Sequence, residues 1–129
     1  MSTWRRKAIE FLPSERTLIQ FADNPMELWL ELVTLFAHAF RECDKNKIRK
    51  ILDYAVWCCS NKSGALPNHT STAAIIGFYE SIAPHKEYWS NFRSWFLPSE
   101  FEKYKDNFGY HLNSKELFEL NAVYYETNA

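Results

Sequence analysis

Two kinds of side chain in this sequence have the chemistry to react. Cys58 and Cys59 are adjacent, and a thiolate set beside an imidazole is a nucleophile with its base. Glu80 is the single charge in residues 72–82, TAAIIGFYESI, and a carboxylate on a buried helix can serve as an acid or base with a raised pKa. His38, His69 and His111 are the imidazoles considered with them. Each candidate also has a plainer reading, and the plainer one weighs more. The thiols fall on the apolar face of a helix, where they would be protonated and inert. The ordinary role of Glu80 is an ion pair or hydrogen bond joining helices; loss of a measured activity in Glu80→Gln at unchanged stability would reverse that reading. His38 belongs to a solvated stripe, and His69 sits in a loop at a helix entrance. The chain has three glycines, too few for a phosphate-cradling loop, and it has no HExxH motif and no Cys/His spacing suited to a metal. No catalytic residue, metal or cofactor is expected, and His69, Glu80 and His111 stand as pocket candidates only.

The elements that would position these residues are helices. Residues 72–82 are apolar nearly all round, which places them inside a domain. Ala73, Ala74 and Gly77 let neighbours approach closely, while Phe78, Tyr79 and Ile82 fill space. Upstream, helices are predicted over 2–11 and from Pro13 to about Phe21. Asn24, Pro25 and Glu27 then form a start signal of cap, first-turn proline and capping acid. That helix runs to about Glu42, with Glu27, Glu31, Thr34, His38 and Arg41 as its one polar stripe. Residues 41–50, RECDKNKIRK, read as a charged turn into a helix whose core face is Ile48, Ile51, Leu52, Ala55, Cys58 and Cys59. Residues 61–71 read as a loop, with Gly64 ending one helix, Pro67 resisting its continuation, and Asn68, Thr70 or Ser71 capping the next. Downstream, 85–96 is an aromatic amphipathic helix, Phe101, Tyr104 and Phe108 make another stripe, and a last helix spans 114–126 behind an Asn113–Glu116 cap. The pentapeptide Phe-Leu-Pro-Ser-Glu occurs twice, at 11–15 and 96–100, without matching sequence after it.

Composition narrows the function classes. Aromatic residues make up 17% of the 129, enough for a substantial core. A net charge of −1 argues against a strongly basic nucleic-acid-binding domain, so nucleic acid is disfavoured as a partner. No apolar run approaches the roughly 18 residues of a membrane span, and the N-terminus has no signal-peptide pattern, so a cytoplasmic protein with no membrane partner is expected. Three cysteines without a framework spacing point to reduced thiols. The opposite side of the fourth helix carries Lys47, Lys50, Asp53, Tyr54, Trp57 and Asn61. Its large aromatics are either a second packing contact, the favoured account, or the anchors of a partner-binding face made of Lys50, Asp53, Tyr54 and Trp57.

Gly77-Phe78-Tyr79-Glu80-Ser81-Ile82, Trp89, Trp95-Phe96-Leu97-Pro98 and Phe108-Gly109-Tyr110-His111-Leu112 resemble a group of small, uncharacterised bacterial all-helical proteins. With Tyr54-Ala55-Val56-Trp57-Cys58 included, the resemblance spans about the last two-thirds of the chain, and some members of the group look similar to immunity proteins that accompany secreted toxins. It implies a fold and carries over no catalytic residue. The expectation is a single all-α domain over 1–129, an irregular helical bundle or short HEAT-like stack of about seven helices. The expected function is non-catalytic protein binding, as by an immunity or antitoxin protein that blocks a toxin. The alternatives are a small-molecule-binding protein or enzyme with a pocket near Glu80, and a self-associating structural protein whose Tyr54 and Trp57 form a homodimer contact.

Overall fold

The computed structural model describes residues 1–60 and 67–126, with the backbone alone for 67–69. All regular structure among them is helical, and the protein is an all-α helical bundle. By internal contacts the chain groups into two compact units, Met1–Phe78 and Tyr79–Ala129.

The first unit contains α1 (Thr3–Phe11), a 3-10 turn (Pro13–Glu15), α2 (Arg16–Phe21), α3 (Pro25–Arg41), α4 (Lys45–Cys58) and α5 (Pro67–Ala74). Helices α3, α4 and α5 pack on one another; α1 lies against α4 and folds back on α2. The start of α3 follows its sequence signal. Asn24 Oδ1 accepts the Glu27 N–H at 2.9 Å, and Glu27 Oε2 accepts the Asp23 N–H at 2.7 Å. The polar stripe of Glu27, Glu31, Thr34, His38 and Arg41 is exposed, opposite buried Leu28, Trp29, Leu32 and Phe36. Helix α4 begins earlier than the charge run suggests, because Asp44 Oδ1 accepts the Lys47 N–H at 3.1 Å and so caps a helix starting at Lys45. The turn shrinks to 42–44, with Cys43 in the left-handed region at φ 57°.

The central helix departs most from its prediction. It starts at Pro67, so that proline takes the first helical position instead of resisting one, and Asn68, Thr70 and Ser71 lie within α5 and not before it. Gly64 falls outside the described residues. A π-helical turn, Ile75–Tyr79, follows α5. Thr72 and Ile76 are exposed, so the helix keeps a wet edge and is not buried all round. The π turn holds an extra residue, shifting the register, and the four consecutive residues 77–80 are all buried. Phe78 packs in the first unit, its ring centroid 5.2 Å from both Trp29 and Phe36.

The second unit contains α6 (Glu80–Ile82), a 3-10 helix (Lys86–Asn91), α7 (Phe92–Trp95), α8 (Pro98–Lys103), α9 (Lys105–Phe108) and α10 (Ser114–Glu126). The predicted long helix over 85–96 is therefore a 3-10 run passing into one α-turn. Trp89 Nε1 donates to the Ala83 carbonyl at 2.7 Å, which ties this tight run to the preceding turn. Helix α6 packs on α9, and α10 on the 3-10 helix and α7. The core is a chain of contacting rings, some stacked and some tilted. Tyr79 lies 4.3 Å from Tyr104, Phe101 lies 3.8 Å from Tyr124, and Phe108 joins Phe92, Phe96 and Phe101. Tyr124 also donates its hydroxyl to the Phe96 carbonyl at 2.7 Å. Asn113 and Glu116 cap α10 reciprocally, at 2.8 and 3.1 Å.

Candidate functional site

The aromatic side of α4 is built inward. Tyr54 is 1% exposed and donates its hydroxyl to the Trp4 carbonyl at 2.9 Å. Its ring is stacked between Trp29 at 5.4 Å and Trp57 at 5.9 Å, with Phe11 at 6.1 Å. Tyr54 is thus a packing residue that locks α1, α3 and α4 together, and it is not a surface anchor. The reason is angular: four positions before Cys58, Tyr54 shares the inward side of α4 with that thiol. Trp57, Lys50 and Asp53 are half-buried, and Asp53 lies 3.7 Å from Arg49 along the same helix. Of the four residues predicted as a face, three keep some surface and the central one has none.

The same cluster settles the character of Cys58. The thiol is fully buried, and burial pushes its pKa up to about 12. Burial likewise raises the Tyr54 hydroxyl well above its ordinary value. A thiol held protonated this far above neutrality is no nucleophile. Cys59 is half-buried and Cys43 exposed, and neither is in a disulfide.

Of the pocket candidates, Glu80 and His111 do not come together. Glu80 is 8% exposed in the second unit, on a helix that packs against α9. His111 is exposed and meets Tyr110 edge-on at 4.9 Å. Among the described residues no hydrogen bond or ion pair joins His111 to Glu80. The side chain of His69 lies outside the described residues. Among those residues, too, no three of His, Cys, Asp and Glu gather where they could hold a metal ion. No described helix is long and apolar enough to cross a membrane.

A different concavity is present in the first unit. Leu18, Phe21 and Ala22 from α2 and its end, with Glu27, Leu30 and Glu31 from α3, line an open groove of about 510 Å³. Phe21 is 81% exposed and Leu30 61% exposed, and the two lie together in this one concavity. The groove exists because α2 is short and ends at Ala22, whose carbonyl accepts a hydrogen bond from the Arg5 guanidinium on α1. The chain then turns into α3 at Asn24. A signal for it was present in the sequence: Leu30 falls among Glu27, Glu31 and Thr34 on the polar side of α3, out of phase with Trp29, Leu32 and Phe36. Comparison with protein-family models, curated proteins and solved structures finds no match to this chain in any of the three.

Proposed function

We propose that the chain is a non-catalytic protein-binding module, of the kind exemplified by immunity or antitoxin proteins that occlude a bacterial toxin. The observation that carries this reading is the α2–α3 groove, where Phe21 and Leu30, both large and apolar, stand mostly in solvent along one concavity. An exposed aromatic beside an exposed leucine in a shallow, open concavity is the anatomy of a contact patch, with anchors at its centre and charged groups at its rim. The rest of the first unit supports it mechanically. The α3 wall is fixed by its Asn24–Glu27 cap and by Trp29 packed on Tyr54, so ordering that wall on binding costs little. Blocking by occlusion needs only shape and charge, and the proposal assigns no bond-making step to any residue.

The test is affinity capture of the tagged chain from the lysate of its source cell, with the double variant Phe21→Ala/Leu30→Ala and the single variant Trp57→Ala beside it. One stoichiometric protein partner is expected, kept by Trp57→Ala and lost by the double variant. Recovery of the chain alone would overturn the reading in favour of self-association.

A further inference from the structure

We infer that the α2–α3 groove takes an amphipathic helix from its partner, apolar along one face and bordered by Lys or Arg; the inference rests on the binding-module reading above. The shape argument is that the apolar side chains are set one helical turn apart. Leu18 and Phe21 are three residues apart on α2, and Leu30 opposes them from α3 with Ala22 also in the lining. A hydrophobic groove between helices receives an amphipathic helix by its apolar face, whose own anchors recur every three or four residues. A small molecule is a poorer occupant, because its site would have to enclose it and here Phe21 and Leu30 stand mostly in solvent.

The charge argument is stronger. From residue 16 to residue 40 the sequence has the acids Asp23, Glu27 and Glu31 against one cation, Arg16, which opens α2 and lies outside the groove lining. Glu27 and Glu31 are four residues apart on α3, so both project along one edge of the groove and repel each other. Neither is neutralised by an ion pair among the described residues. One Glu27 oxygen is engaged by the Asp23 N–H, and no hydrogen bond to the Glu31 carboxylate is present there. The neighbouring cation, Arg5, is committed elsewhere, with its guanidinium on the Ala22 carbonyl and 4.5 Å from the Trp4 ring. A partner helix presenting Lys or Arg four residues apart beside its apolar face would meet both carboxylates while seating its anchors on Phe21 and Leu30. An acidic helix or an anionic surface would add further negative charge beside two carboxylates that have no ion-pair partner among the described residues.

Three labelled helical peptides of about 16 residues, used with the full chain, test this. The first has Leu at helical spacing with Lys along both borders, the second replaces Lys by Glu, and the third keeps Lys but replaces Leu by Ser. By fluorescence anisotropy the first is expected to bind, with the other two about tenfold weaker or more. Glu31→Lys and Phe21→Ala should each weaken the first peptide by a similar factor, and circular dichroism and thermal unfolding establish that both variants fold. Equal binding of the Lys and Glu peptides, no binding of the first up to about 1 mM, or binding unchanged in the folded variants overturns the inference. So does a dimer in sedimentation that Phe21→Ala dissolves, because the occupant is then a second copy. A captured stoichiometric partner that survives Glu31→Lys and Phe21→Ala leaves the binding module standing and removes only the groove; recovery of no partner removes the binding module itself.

Discussion

At the scale of single residues, burial decides which reactive groups are usable. Cys58 is sealed among Tyr54, Trp29 and its own helix, while Cys43 sits in the open after α3. With iodoacetamide on the native protein, mass spectrometry should find Cys43 alkylated and Cys58 untouched until denaturant is added. The same burial gives a pH dependence with a definite sign. The Cys58 pKa rises from its ordinary 9.0 to about 12 on folding, so an unfolded chain ionises first as alkali is added. The stability tied to this group is complete below pH 9 and is lost progressively as the pH climbs towards 12. Urea midpoints should therefore fall across this range, with a shallower slope in Cys58→Ala. Tyr54 acts in the same direction, beginning above its ordinary 10.0. Removing its hydroxyl in Tyr54→Phe loses the bond to the Trp4 carbonyl, for about 1 kcal/mol in denaturant titration.

At the scale of elements, two backbone positions separate helix propensity from packing. Alanine is the better helix former, yet a Cβ at Gly77 would lie 2.7 Å from the Trp29 Cβ, inside the crossing of the π turn and α3. Neither backbone can yield cheaply, so overpacking outweighs the propensity gain, and Gly77→Ala should destabilise by about 1–3 kcal/mol in urea unfolding. Cys43 presents the reverse case. Its φ of 57° costs a side-chain-bearing residue energy that glycine does not pay, and its side chain is exposed. Cys43→Gly should raise stability by about 0.5–1 kcal/mol, read as a higher thermal midpoint.

At the scale of the whole molecule, charge is arranged in blocks along the chain. Three acids, Asp23, Glu27 and Glu31, lie between Arg16 and a block at 41–50 that has five basic and two acidic residues. The local field at the groove is therefore negative although the chain is nearly neutral. Association of a basic partner should be steered by that field, and its on-rate should fall about tenfold between about 0.05 and 0.5 M NaCl in stopped-flow mixing. Replacing Phe21 and Leu30 by Ala should leave the unfolding midpoint within about 0.5 kcal/mol of wild type, because both side chains are exposed. A large loss of stability in that variant would show that they belong to the core.

The all-α class, the cap of α3 at Asn24, the cap of α10 at Asn113 and the buried stripe of Phe101, Tyr104 and Phe108 were legible in the amino-acid sequence. Each depends on groups within a few residues of one another. Tertiary structure decided the rest, and the repeated pentapeptide shows how. At 11–15 Leu12 is buried, Pro13–Glu15 is a 3-10 turn, and Glu15 reaches Lys47 at 2.9 Å. At 96–100 Leu97 is 65% exposed, Phe96 is buried instead, and Pro98 opens α8 with Glu100 accepting the Leu97 N–H at 3.0 Å. The five residues are the same, so their local preferences are the same. What differs is whether a distant lysine competes for the carboxylate and which apolar side chain finds a cavity. The inward turn of Tyr54 and the outward turn of Leu30 have the same origin. Helical spacing limits which residues share a side, and only the neighbouring helices determine which side is covered.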